Sequence, residues 1–247
     1  MKLWIIARKD IQEALRSRST YLFFGIMVII SFTQLGSYNR AINTLIQQNA
    51  SPQIIEQSSR YFLNSIVYIL PLMFSILVCS IFAAYAVITE KAKRNIESLM
   101  VTPLSLNQIW MAKTLAVTLP SVVIGLVVSI LGYVVITIEA VIPRTGGIIV
   151  PGALPIVSAL VLVPVLIFTV VSIVIYLQLV ISNPRIANLV FTAIFMIVFF
   201  GINLLTGIGI NVNFSLIYLG LIILCGAISY LLSGSLTKER ELLSSKG

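Results

Sequence analysis

The residues that could carry chemistry in this chain are few, and they are not of the types that build a catalytic centre. The 247 residues include no histidine, which excludes Ser–His and Cys–His nucleophiles and histidine-ligated zinc. Cys79 and Cys225 each lie inside an apolar run and are interpreted as reduced thiols. No G-x-x-x-x-G-K-[ST] phosphate loop occurs. We therefore expect no catalytic residue, no metal and no cofactor in this chain, and we do not expect an enzyme.

Segment 89–113, between two apolar runs, contains six of the charged residues. Its first part is predicted to be a short charged helix that begins near Glu90. The helix should end at Thr102–Pro103, because the residue before a proline avoids helical geometry. Ser105 stands three residues before Gln108, which is the spacing of a capping box, so a second helix is predicted to begin immediately after Ser105. Such a stiff element can transmit a displacement imposed by a partner protein to the two membrane helices that flank it.

This segment resembles the cytoplasmic loop of ABC-2 type transporter permeases. The family pattern, E-K-E-x-G-T-x-E-x-L-L-x-T-P-x-S followed by I and G-K, is similar to the run from Glu90 to Ser105 with Ile109 and Lys113, although Arg94–Asn95 departs from it. In that family the loop docks on an ATPase subunit. The resemblance implies that Glu90, Glu97, Thr102, Pro103, Ser105 and Lys113 occupy family positions. Together with Arg94 and Leu99, they are the predicted ATPase-coupling residues.

The elements that would position this loop are apolar runs. Of all residues, 59% are apolar and 10% are charged, with a mean hydropathy of +1.07, whereas soluble domains carry about a quarter charged residues. Six runs are long enough to span a bilayer as helices. They are Tyr21–Gly36, Asn64–Ile88, Thr114–Ile138, Leu154–Ile181, Ala187–Leu205 and Phe214–Leu232. The predicted fold is an all-α integral membrane protein with six transmembrane helices, one transmembrane domain over residues 1–247.

Basic residues predict the orientation. Of the 16 lysines and arginines, 13 lie in the N-terminal segment, in segment 89–113, at Arg185 and at the C-terminus, and three lie in the other loops. Because cytoplasmic loops carry the excess of basic residues, both termini are predicted to be cytoplasmic. Segment 89–113 is then a cytoplasmic coupling loop and 37–63 an extracytoplasmic loop. The predicted location is the plasma membrane, as a multi-pass protein.

Residues 1–19 are predicted to form an amphipathic helix on the inner membrane surface. Trp4, Ile11 and Leu15 fall on one face at helical spacing, and Arg8 falls on the opposite face. The helix either only orients the first span or also contacts a cytoplasmic partner. A secretory signal peptide is disfavoured, because the charged stretch is itself helically patterned and no A-x-A-like cleavage site follows.

Several local features modify this scheme. The 37–63 loop is predicted to hold short amphipathic helices broken at Pro52, and 139–155, with three prolines and three glycines, is predicted to be irregular. The fourth span is predicted to tilt or kink at Pro164. Close helix packing is predicted in the third span at Gly125, Ser129 and Gly132. Interhelical hydrogen bonds are expected from the polar residues in or near the spans, Gln34, Ser75, Ser80, Ser129, Thr169, Ser172, Gln178, Thr192 and Asn203.

The resemblance implies a permease subunit of an exporter driven by a separate ATPase, which would hold ATP and Mg²⁺. The expected partners are that cytoplasmic ATPase, a second identical or paralogous permease subunit, and membrane lipid. No nucleic acid is expected, since topology accounts for the basic residues. The six predicted spans contain no Asp, Glu, Lys or Arg, which argues against proton antiport and favours a drug, a lipid or another amphiphile as cargo. Substrate-binding residues are not identified.

Two other functions remain open at the level of the sequence. The chain could export sodium or haem as a related permease, since carbonyls and hydroxyls can coordinate sodium without a charged side chain. It could also be a membrane anchor for an ATPase, without transport of its own. ATP-dependent transport in reconstituted vesicles discriminates between a transporter and an anchor.

Overall fold

The computed structural model describes residues 12, 16, 18–49, 51–83, 87, 105–180 and 213–234, and these residues form helices and turns without a strand. The helices are α1 (Arg18–Gln47), α2 (Pro52–Ala83), α3 (Leu106–Ile136), α4 (Ile142–Thr145), α5 (Ala153–Val157), α6 (Val163–Val180) and α7 (Phe214–Ser233). A π-helical stretch, Thr137–Val141, joins α3 to α4, and another, Ser158–Leu162, joins α5 to α6. The all-helical class is therefore confirmed for the described part of the chain.

Within the described residues, four stretches are long and apolar enough to cross a membrane: Pro52–Ala83, Asn107–Thr145, Ala153–Val180 and Phe214–Ser233. A helix pairs its backbone polar groups internally, which is what a segment in lipid requires. These stretches correspond to the second, third, fourth and sixth predicted runs. The first predicted run lies within α1, and the fifth, Ala187–Leu205, lies outside the described residues.

The predicted irregularity at Pro164 takes the form of a widened helical turn. The Val163 amide donates to the carbonyl of Ser158, five residues back, and the Ile142 amide donates to Thr137 in the same way, just before Pro143. A proline has no amide hydrogen, and its ring clashes with the carbonyl four residues earlier. The π-helical turn widens the backbone where that clash would occur, so each helix passes its proline without ending.

Helices extend beyond the predicted apolar runs where a loop was expected. Within segment 37–63, α1 continues to Gln47 and α2 begins at Pro52, which occupies the first helical position, a favoured one for proline. The break at Pro52 is thus confirmed, but the helices on either side continue the long helices α1 and α2. The prediction that 139–155 is irregular was wrong for 139–145, which are π- and α-helical, and for 153–155, which begin α5. The loop between these helices consists of 146–152.

Helix α2 lies at the centre of the described bundle, in contact with α1, α3 and α6, while α7 packs on α6. In the most apolar window of α2, 78% of residues are buried, against 11% in α7, so α7 presents most of its surface outward. The start of α3 defines the Ser105 end of the bundle. The Gly152 end, opposite to it, contains 146–152, the part of α2 around Asn64 and the first turn of α7.

Candidate functional site

The start of α3 has the capping box that the sequence predicts. The Gln108 amide donates to Ser105 Oγ at 3.3 Å, and the Ser105 amide donates to Gln108 Oε1 at 3.1 Å. Such caps contribute about 1 kcal/mol to a helix. From this cap the helical path continues through α3, which contains Pro120, and through the π-helical turn and α4 to Thr145. Any displacement of Ser105 therefore acts on one continuous rod.

Lys113 lies on the buried face of this rod. The residue is 0% exposed, and its helical neighbours Ile109, Trp110, Ala116 and Val117 are buried as well. The sequence placed Lys113 at the end of a cytoplasmic loop, whereas the structure places it inside the bundle. The sequence contains a pattern that indicates this burial, because the four residues three and four positions before and after Lys113 are all apolar. An ammonium group in such surroundings is far more sensitive to substitution than one in a solvated loop.

Polar contacts near the Ser105 end link α3 to α6 and α7. Trp110 Nε1 donates to the backbone carbonyl of Ser172 at 2.8 Å. The hydroxyl of the same serine lies 2.7 Å from Ser229 Oγ on α7. One residue of α6 therefore connects three helices at a single level, and the start of α3 cannot move independently of α6.

In the middle of the bundle, α3 packs closely against α2. A Cβ atom added at Gly125 would collide with Ser75 Oγ and lie 2.8 Å from the Ser75 backbone nitrogen. Ser129 Oγ donates to the carbonyl of Gly125 at 2.6 Å, within the same helix. The prediction of close packing at Gly125 is confirmed, because only a residue without a side chain permits this approach.

A buried hydroxyl cluster lies toward the Gly152 end and consists of Tyr68, Ser158, Ser215 and Tyr218. Ser215 Oγ lies 3.1 Å from the Tyr68 hydroxyl and 2.9 Å from Ser158 Oγ. The Tyr218 hydroxyl donates to the Tyr68 carbonyl at 2.8 Å. The cluster ties α2, the second π-helical stretch and α7 together. Its hydrogen-bonded pairs are 57 to 150 positions apart in the sequence, and no local pattern indicates that these pairs form.

The residues expected to bond between helices divide into three groups. Ser172 does so, through Ser229. Ser80, Ser129 and Thr169 instead donate to carbonyls of their own helices. Gln178 and Ser75 are buried, and their side-chain atoms have no hydrogen-bond partner among the described residues. Thr192 and Asn203 lie outside the described residues, as does the side chain of Gln34.

We expect the hydroxyl cluster to stabilise the bundle only modestly. The variants Tyr68→Phe and Ser215→Ala, alone and combined, should give a coupling free energy of about 0.6 kcal/mol, since hydrogen bonds between membrane helices average that value. Thermal unfolding of the four proteins in one detergent measures the coupling. A coupling near zero would contradict the contact between these two hydroxyl groups.

Most of the predicted coupling residues lie outside the described part of the chain. Ser105 and Lys113 are described, while Glu90, Arg94, Glu97, Leu99, Thr102 and Pro103 are not, nor are Trp4, Arg8, Ile11 and Leu15 of the predicted interfacial helix. The structure describes the helix that follows the motif, α3, which is capped at Ser105 and is linked by hydrogen bonds to α6 and α7. This arrangement can transmit force. No protein-family model, curated protein or solved structure matches the chain.

Proposed function

We propose that this chain is the membrane-spanning subunit of an ABC-2 type exporter, energised by a separate ATPase that holds ATP and Mg²⁺. The supporting observation is the capped start of α3. A stiff helix begins at the residue where the loop motif ends, and hydrogen bonds through Ser172 tie it to α6 and α7. A loop that docks on an ATPase needs such an element to move the bundle.

In this proposal both termini and the Ser105 end face the cytoplasm, in agreement with the distribution of basic residues. The chain crosses the plasma membrane six times and pairs with a second identical or paralogous copy. Its cargo is a drug, a lipid or another amphiphile, since the long helices are apolar through most of their length. Substrate leaves between the two copies when the ATPases close.

Recruitment of the ATPase tests the proposed docking loop. The variant Glu97→Lys should reduce recovery of the ATPase on affinity-purified chain by about tenfold or more, because it reverses a charge at the docking surface and charge pairs at interfaces are worth more than 1.4 kcal/mol. The control Glu56→Lys changes an exposed carboxylate on α2 that pairs with Arg60 at 3.6 Å, and it should leave recovery unchanged. Equal recovery with Glu97→Lys and with the wild type would refute the docking assignment.

A second candidate, a membrane anchor for an ATPase, predicts the same recruitment but no movement of solute. The ties between α3, α6 and α7 favour the exporter, because an anchor does not require the loop to be mechanically joined to three helices.

A further inference from the structure

A cleft of about 560 Å³ opens at the Gly152 end of the bundle, between α2, the start of α5 and the start of α7. We call it the Asn64 cleft. Asn64, Leu154 and Phe214 line it, and each of them is the first residue of a predicted apolar run. Three runs that begin at one level mark the boundary between the membrane and water. The cleft therefore lies where an amphiphile places the junction of its headgroup and its tail.

The side-chain amide of Asn64 is held in a fixed position in the cleft, and its nitrogen is available to donate to a ligand. The Gly152 amide donates to Asn64 Oδ1 at 2.9 Å, which fixes the side-chain amide. Asn64 Nδ2 has no hydrogen-bond partner among the described residues, so it can donate to a ligand. Asn213 also lines the cleft, and its side chain makes no capping bond to α7. An amide offers both donors and an acceptor, which suits hydroxyl groups.

The apolar side of the cleft is partly rigid and partly exposed. The Phe214 ring lies 5.3 Å from the Tyr68 ring, and the Tyr68 hydroxyl bonds to Ser215 below it. Leu154 is 62% exposed and Tyr61 is 50% exposed, so their side chains are accessible to a ligand. Aromatic rings beside amide groups form a surface that accepts both the C–H face and the hydroxyls of a ligand.

The described lining of the cleft contains no acidic or basic side chain. The nearest cation along α2, Arg60, pairs with Glu56. Arg144 donates to the Ala140 carbonyl and to Asn43. A charged headgroup would therefore find no counter-charge among the described lining residues, and the loss of its water there is costly. A bare hydrocarbon tail would leave the Asn64 amide unpaired.

We propose that the Asn64 cleft binds the uncharged, hydroxyl-bearing headgroup of an amphiphile, such as a sugar carried by a diacylglycerol. The headgroup hydroxyls accept from Asn64 Nδ2 and contact Asn213, while the apolar part leaves past Leu154 into the membrane. Binding at this cleft needs neither an ATPase nor a second copy, so the site does not depend on the proposed transport function.

The test uses the full chain in phosphatidylcholine nanodiscs that also contain monoglucosyl diacylglycerol and phosphatidylglycerol in equal amounts. Native mass spectrometry counts the lipids that stay bound. The wild type should retain the glucolipid in preference to phosphatidylglycerol. Asn64→Asp keeps the acceptor for Gly152 but loses the Nδ2 donor and adds a charge, so retention should fall about tenfold, as expected for a lost hydrogen bond worth about 1.4 kcal/mol.

Asn43→Asp is the matched control, because Asn43 Oδ1 also accepts one hydrogen bond, from Arg144, and lies outside the cleft. It should retain the glucolipid as the wild type does. Tyr61→Ala, at a half-exposed position, should also lower retention of the glucolipid. It tests the cleft independently if Asn64→Asp fails to fold. Equal retention of the two lipids, or unchanged retention in both cleft variants, would overturn the proposal. Binding of free methyl glucoside as tight as that of the glucolipid would overturn the amphiphile assignment.

Discussion

Replacing Gly125 by leucine should destabilise the bundle by at least about 3 kcal/mol, the upper range for overpacking a core. The new Cβ would collide with Ser75 Oγ and lie 2.8 Å from the Ser75 backbone nitrogen. A flexible side chain could turn away, but a backbone atom of α2 cannot, so α2 and α3 must separate. Thermal unfolding in detergent micelles, followed by circular dichroism, should show a melting temperature far below that of the wild type.

The control for this variant is Gly220→Leu on α7. A Cβ at Gly220 meets no atom within 4 Å, and leucine favours a helix by up to about 1 kcal/mol over glycine. Gly220→Leu should therefore be as stable as the wild type or slightly more stable. If both variants melt at the same temperature, the close approach of α2 and α3 at Gly125 is contradicted.

The second large effect is expected at Lys113. Lys113→Glu should cost roughly 3 to 5 kcal/mol, the range observed when a buried charge is left without compensation. The Lys113 side chain is 0% exposed. In the variant, a buried carboxylate would take the place of the ammonium group, in surroundings that are suited to a positive charge. Lys113→Met keeps most of the side-chain volume and removes the charge, and it should melt well above Lys113→Glu.

Asn107→Glu is the control for the charge at Lys113. Asn107 is exposed in the first turn of α3, where a carboxylate interacts favourably with the helix dipole. Its melting temperature should equal or slightly exceed that of the wild type. Equal melting temperatures for Lys113→Glu and Asn107→Glu would show that Lys113 is solvated and would refute its burial.

Features encoded locally could be predicted from the sequence. The sixth run, Phe214–Leu232, nearly coincides with α7, since long apolar stretches have few alternatives to a helix in lipid. The cap at Ser105 follows from two residues at a fixed spacing. The continuation of α1 to Gln47 as one long helix and the helical path from α3 to Thr145 were missed. Hydropathy indicates whether a segment lies in lipid or in water, and it does not determine the backbone conformation of the segment.

Features that depend on distant residues could not be predicted. The Tyr68–Ser215 contact joins positions 147 residues apart, and Asn64 meets Gly152 across 88 residues. The burial of Lys113 was not predicted, because a lysine at the end of a charged segment is expected to be solvated. The coupling motif itself, from Glu90 to Pro103, lies outside the described residues, so its docking role remains a prediction.

ATP-driven movement of a solute across a sealed vesicle tests the central claim most directly. Sealed vesicles that contain this chain and the proposed partner ATPase, with the ATPase facing outward, should take up a fluorescent amphiphile from the medium when Mg-ATP is added outside. Transport should stop with Glu97→Lys and continue with Glu56→Lys, because only the first alters the proposed docking loop. Transport that continues unchanged with Glu97→Lys, or the absence of ATP-dependent transport of any amphiphile, sodium or haem by the wild-type complex, would contradict the account.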